Sequence, residues 1–290
     1  MMDRKAIARQ TLEILKQGKY TYQDTAVTIR EAHLYSVEHS RLFTPKQGEQ
    51  LLHEYAGKHT GDRGTSTCET AAGHSDACRQ EVKNISTVDA VLELSAEGAA
   101  HTGVLNFASA KNPGGGFLNG AMAQEESLAA SGGLYKTLTV HEEYYRANRG
   151  TSSMIYTDHA IYSPEVVFFR DGSFRLLETP VTASVLTLPA VNMGQVILKG
   201  EDIGMARIAM RRRMELALAL FADNGAKNLV LGAYGCGVFR NDPVQVAAWW
   251  KELLESGYGT YFDHIVYAVL DHSARQECIL AFEEAFPYPA

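Results

Sequence analysis

A chain of 290 residues, 46% hydrophobic and 21% charged, is long enough to bury a sizeable core and suits one large domain or a domain with an added segment. It contains no run of about 18 apolar residues, which argues against a membrane span. Its net charge of -7, with no basic stripe, argues against a grip on nucleic acid along the backbone.

The opening, MMDRKAIARQTLEILKQGKY, alternates charge and apolar residues at helical spacing and lacks the apolar block of a signal peptide, so a cytoplasmic location is expected. Residues 3–17 read as an amphipathic helix and residues 45–55 as a second. The polar, Gly/Ser/Thr-rich stretch 57–78 reads as a long loop. Residues 1–78 therefore look like a helical and irregular accessory segment attached to a catalytic unit over 79–290. That unit opens with a strand over 79–85 and a helix that Thr87 caps and Gly98 ends. TGVLNFASA is a short apolar strand, and residues 124–139 read as one helix despite Gly132-Gly133. A β-rich stretch follows over 152–191, then a clear amphipathic helix over 202–222, with Ala206, Met210, Met214, Ala217 and Phe221 on one face. The triplet Arg211–Arg213 inside it reads as a solvated helix face. NLVLGAY is a buried-type strand. The helix after it begins with Asp242 as cap and Pro243 at its first position, with Gln245 placed for a capping box. HIVYAVL is a last strand, and Ser273 reads as the cap of a closing helix.

Strands that alternate with helices indicate an α/β fold, a three-layer α/β/α sandwich on a mixed, largely parallel sheet with an N-terminal helical extension. In such sheets a ligand sits beyond the carboxyl ends of the strands. Two glycine-rich loops occupy that place, one after VLNFASA and one after NLVLGAY. The four cysteines, Cys68, Cys78, Cys236 and Cys278, match neither a disulfide framework nor zinc-ligand spacing, so no metal is expected.

The second loop is GAYGCGVFRNDP. Gly235 and Gly237 free its backbone to form a nest of N–H groups suited to a diphosphate, while Phe239 stands at the lip where an aromatic ring can cover a sugar or base. It has no Walker lysine and no third glycine of a dinucleotide fingerprint. A tight strand–helix connection explains the glycines equally well. Cys236 raises a thiol nucleophile as a further option, with His159 or His264 as spatial partners.

The first loop, NPGGGFLNGAMAQEES, sets Gly114-Gly115-Gly116 seven residues before Gln124-Glu125-Glu126. Carboxylates at a helix start are favoured by the helix dipole, which accounts for one glutamate but not for the coupling to a triple glycine. A triple glycine followed by Gln-Glu-Glu, with IYTDHAIYSPEVVFFR and GAYGCGVFRNDP downstream, resembles the microbial type of poly(ADP-ribose) glycohydrolase, a macrodomain family. The likeness runs from about residue 80 to the C-terminus and extends to the helical N-terminal segment.

The resemblance implies hydrolysis of ribose–ribose O-glycosidic bonds, with Glu126 as acid/base and Glu125 holding ribose hydroxyls. It implies a ligand-binding set of Asn112, Gly114, Gly115, Gly116, Gln124, Gly235, Cys236, Gly237, Val238 and Phe239, with the glycine N–H groups donating to phosphate or ribose. No cofactor is implied. The partner is poly(ADP-ribose) or an ADP-ribosylated protein, with ADP-ribose as product and no direct contact to membrane or nucleic acid. The acidic net charge favours capture of a terminal unit, hence cutting from the chain end. Alternatives are a binding module that reads ADP-ribose without cleaving it, a hydrolase of another ADP-ribosyl linkage, and a cysteine hydrolase using Cys236.

Overall fold

A computed structural model describes residues 3–60 and 78–287. The N-terminal part holds α1 (Arg4–Gln17), a hairpin of β1 (Lys19–Tyr22) and β2 (Thr25–Thr28), α2 (Arg30–His39), β3 (Arg41–Phe43) and α3 (Pro45–Thr60). Of the loop expected over 57–78, residues 57–60 instead continue the helix expected over 45–55 as the end of α3, and residues 61–77, with Cys68, lie outside the described residues. Then come β4 (Arg79–Lys83), α4 (Thr87–Ala96), β5 (Thr102–Ala108), α5 (Gln124–Ser131), α6 (Leu134–Thr139), α7 (Glu142–Gly150), β6 (Ala160–Arg170) and β7 (Leu176–Pro189). The chain closes with α8 (Met193–Lys199), α9 (Ile203–Asp223), β8 (Asn228–Leu231), α10 (Pro243–Glu255), β9 (His264–Ala268) and α11 (Glu277–Ala285).

Seven strands make one sheet in the order β3-β6-β7-β5-β8-β9-β4. The pairs from β7 to β4 are parallel, and β6 runs antiparallel to both β7 and β3. Period-two alternation divides the core. Leu105, Leu186, Leu229 and Ile265 face α9, α10 and α11, whereas Val104, Val185, Val230 and Val266 face α4, α5 and α6. Helices therefore cover both faces of a mixed, largely parallel sheet, the α/β sandwich that the sequence indicates.

Residues 3–60 contribute to this body. β3 is one edge strand of the main sheet, and α3 buries Leu51 and Tyr55 in the core shared with α9. α1 packs Ile7 and Ala8 against Phe117, Ala129 and Ala130, so it lies along α5.

Four local expectations are corrected. The helix over 124–139 breaks, because Gly132 leaves it to bridge Phe168 and the Gly133 N–H donates to Val167 O at 2.8 Å. Ser86, not Thr87, caps α4, its hydroxyl accepting from Asp89 N–H. The last helix starts later than Ser273; Asp271 Oδ2 takes the N–H groups of Cys278 and Ile279 instead. Arg213 is not on a solvated face. It is 1% exposed, donates Nε and Nη2 to Asp158 at 2.9 and 2.8 Å, and donates Nη1 to the carbonyls of Ile155 and Pro189 at 3.0 and 2.7 Å. Those bonds pin α9 to the end of β7 and to the segment before β6, beneath the second glycine loop.

Removing a buried, fully bonded cation strands the groups it satisfied. Arg213→Leu is expected to lower unfolding free energy by roughly 3–5 kcal/mol in denaturant titrations, whereas the half-exposed Arg212→Leu costs under about 1 kcal/mol. Equal losses would contradict the anchor.

Candidate active site

Pairing between β5 and β8 covers Thr102 to Val104 only. Beyond it the Gln124 side chain stands in for a strand. Its Oε1 accepts from Phe107 N–H at 2.9 Å, and its Nε2 donates to Leu105 O at 2.8 Å and to Thr87 Oγ1 at 3.2 Å. Expected as a ligand contact, Gln124 is instead engaged at both ends of its amide by protein. It ties the first turn of α5 to β5, and the two following carboxylates are thereby carried over the carboxyl end of the sheet.

Those carboxylates meet different surroundings. Glu125 is 3% exposed; its Oε2 accepts from Ser109 N–H at 2.6 Å and its Oε1 from Asn106 Nδ2 at 3.3 Å. Burial pushes its carboxyl up to about 8, outweighing the hydrogen bonds from Ser109 and Asn106 that pull it down, while the nearby Glu126 charge adds to the rise. Glu126 is half-buried at the mouth, its Oε1 accepting from Gly116 N–H at 2.7 Å and its Oε2 from Ala123 N–H at 3.0 Å.

The triple glycine exists for this approach. Gly115 has φ +57°, and an added Cβ would overlap Glu126 Oε1 and stand 3.1 Å from Glu125 Oε2, so both carboxylates converge on its bare face. The glycine N–H groups, expected to meet phosphate or ribose, are directed at protein. Gly115 donates to Asn112 O and Gly116 to Glu126. Unshielded carboxylates in a desolvated corner need donors, and the loop provides them. Asn112 is exposed, and its side-chain amide has no protein partner among the described residues.

The second loop is the open nest. Gly235 has φ +73°, and an added Cβ would lie 2.6 Å from both Ala190 Cβ and Asn241 Nδ2. Asn241, 5% exposed, holds the loop by donating to Val191 O and Gly235 O at 2.8 and 3.0 Å. The Cys236 N–H is taken up by Ala233 O, but those of Gly235, Gly237, Val238 and Phe239 have no protein acceptor among the described residues. Consecutive free donors at the end of a parallel strand suit a diphosphate.

The thiol option is overturned by the surroundings of Cys236. Burial pushes its thiol well above the ordinary range, and Sγ points at Tyr234 O at 3.8 Å. His159 is hydrogen-bonded to Thr157, and His264 faces Glu81 at 2.9 Å.

Phe239 reaches from this loop to Tyr156, ring centroids 6.2 Å apart, and Lys111 Nζ stands 6.0 Å from the Tyr156 ring centroid. Tyr156 has φ +63°, a conformation that costs a bulky residue about 1–2 kcal/mol. Neither Tyr156 nor Lys111 is singled out by sequence. Asn106, 0% exposed and also donating to Thr187 Oγ1 at 3.1 Å, was equally silent; its one signal is a lone amide inside an apolar strand.

A carboxyl whose folded-state value lies above its unfolded one favours the fold when protonated. That contribution is complete below about 4.5 and is lost as pH rises towards 8. Urea unfolding of wild type against Glu125→Gln is expected to show the variant gaining roughly 3–5 kcal/mol relative to wild type across that window. A difference independent of pH would contradict the buried neutral carboxyl.

Comparison with known proteins fits this geometry. The sequence profile described as "Microbial-type PARG, catalytic domain" matches residues 8–171, more than half of the chain. No curated relative matches. The poly(ADP-ribose) glycohydrolase of Thermomonospora curvata is 37% identical, with 98% of this chain and 99% of that chain covered and a TM-score of 0.87. The same enzyme bound to the inhibitor ADP-HPD gives 0.86. The Deinococcus radiodurans enzyme in complex with ADP-ribose is 41% identical over 89% of this chain and 98% of that chain, with a TM-score of 0.77. With identity at this level along nearly its whole length, the chain belongs to the microbial-type poly(ADP-ribose) glycohydrolase family.

Proposed function

We propose that this protein is a glycosidase that hydrolyses the ribose–ribose O-glycosidic bond of poly(ADP-ribose), mainly from the chain end, and releases ADP-ribose. The observation that carries it is the pair of unlike carboxylates on the face of Gly115: Glu125 buried and hydrogen-bonded, Glu126 at the mouth.

In this account the terminal unit lays its diphosphate on the free N–H groups of Gly235, Gly237, Val238 and Phe239, with Phe239 against its distal ribose. Glu125, neutral near pH 7, holds the ribose hydroxyls without adding charge beside the diphosphate. Asn112 contributes its free amide to the same ribose. Glu126 is the carboxyl that the scissile oxygen can reach. It protonates that oxygen as the bond breaks, and its carboxylate then takes a proton from the water that attacks the oxocarbenium ion. One acid/base suffices because the flanking glutamate orients rather than attacks.

Residues 79–290 then form the catalytic unit in a macrodomain-like arrangement, and residues 1–78 an accessory segment that supports α5. We place the protein in the cytoplasm. No helix among the described residues is long and apolar enough to cross a membrane.

Incubation with poly(ADP-ribose) is expected to release ADP-ribose from wild type, whereas Glu126→Gln lowers kcat by about 10²–10⁴ while titration calorimetry finds ADP-ribose affinity within about twofold. Glu125→Gln keeps the neutral shape, so its loss is expected to be smaller. Full turnover in Glu126→Gln would contradict the assignment, and tight ADP-ribose binding by a wild type that releases none would make the protein a binding module.

A further inference from the structure

A diphosphate laid on the second loop meets N–H groups but no charge there, and it comes to rest near Glu126 in a chain of net charge -7. Backbone donors alone leave a dianion close to a carboxylate, so the site calls for a cation. Arg213, beneath the nest, is spent on Asp158. Arg149 of α7 is paired with Glu142. The stem of Arg240 lies along Gly194 of α8, where an added Cβ would stand 3.1 Å from its Cδ.

Lys111 is not committed in this way. It precedes Asn112 at the mouth, is half-buried, and has no carboxylate within ion-pair distance among the described residues. Its backbone is fixed on both sides: its N–H donates to Ser109 Oγ at 3.3 Å, and its carbonyl accepts from Arg149 Nη1 at 2.8 Å. Ser109 is also the residue whose N–H holds Glu125. The cation is thereby tied to the turn that positions the buried carboxyl.

Its ammonium lies against Tyr156. Nζ stands 6.0 Å from the ring centroid, the outer limit of a cation–π attraction, so the ring steers the charge without consuming it. The same ring is 6.2 Å from that of Phe239, on the nest loop. Tyr156 thus links the two ligand loops, with Lys111 on one and Phe239 on the other. Its positive φ is held from both flanks. Before it, Met154 N–H donates to Glu201 Oε1 at 3.0 Å and Ile155 O accepts from Arg213 Nη1 at 3.0 Å. After it, Thr157 N–H donates to Asn148 Oδ1 at 2.9 Å. Strain that the surroundings keep in place on a half-buried ring beside a ligand loop points to a role in binding.

We propose that Lys111 is the cation that meets the diphosphate of the bound ADP-ribose unit, with Tyr156 as the residue that positions its ammonium. This deepens the function proposed above and rests on it. The first loop then supplies charge and the second loop supplies hydrogen bonds to the same group.

The test measures Kd for free ADP-ribose by titration calorimetry, at low and high salt, in Lys111→Met, Lys111→Arg, Tyr156→Leu and Tyr156→Phe. Lys111→Met is expected to raise Kd about five- to thirtyfold and to flatten its dependence on salt, because the screened charge is gone. Lys111→Arg restores both. Tyr156→Leu is expected to raise Kd about two- to fivefold and to flatten the salt dependence in part, which a packing defect alone does not do, while Tyr156→Phe stays close to wild type. Arg146→Met removes an exposed cation of α7 and serves as the control, with Kd and salt dependence unchanged. A wild-type Kd and salt dependence in Lys111→Met would overturn the proposal, as would a loss confined to KM for the polymer, which places the cation on the leaving unit. A wild type that binds no ADP-ribose removes the proposed function and the role of Lys111 with it, whereas a wild type that binds and cleaves beside indifferent variants removes only the role of Lys111.

Discussion

Everything at this site depends on putting one carboxyl, that of Glu125, out of water beside a second that stays in it. Two adjacent glutamates at a helix start repel each other and would normally both be solvated. Here the backbone of Gly115 comes so close that no side chain fits between it and the pair, and donors from Ser109, Asn106, Gly116 and Ala123 are shared out between them. The loss of chain entropy in a triple glycine is offset by those bonds and by the environment they create. Identical side chains one residue apart acquire different chemistry because one faces the sheet and the other the mouth.

The rest of the fold holds that difference. Gln124 completes β5 where β8 stops pairing, and so fixes the height of α5 over the sheet. Gly132 leaves the helix for β6 and fixes the other end of α5. α1 closes the outer flank, and Arg213 stabilises the floor under the second loop from β7. Each contact joins residues far apart in sequence, so the site is a product of the assembled sheet rather than of either loop alone.

Period-two and period-3.6 patterns made the α/β class and most elements legible, because burial on one face leaves a sequence trace. The glycine loop was legible because a positive φ and a close approach tolerate few residue types, whereas its two glutamates were read through the family resemblance. Other roles left no trace. Gln124 stood out beside the glutamates as a ligand contact, and nothing in its spacing shows that its amide serves as a strand. Arg213 reads as one of three solvated arginines, and only the packing of α9 on β7 shows it buried. Asn106, Tyr156 and Lys111 act through partners far away in the chain or through strained backbone, which spacing does not encode. β3 is three residues long and was invisible until β6 supplied its partner.

The central claim is that environment alone separates the two glutamates into a neutral holder and a working acid/base. Carbon-13 NMR of carboxyl-labelled glutamate, with Glu125→Gln and Glu126→Gln to assign the signals, measures it directly. The account predicts that the Glu125 signal titrates near 8 in the free protein and that this transition disappears in Glu125→Gln. A Glu125 signal that titrates in the ordinary carboxylate range, around 4, would contradict it.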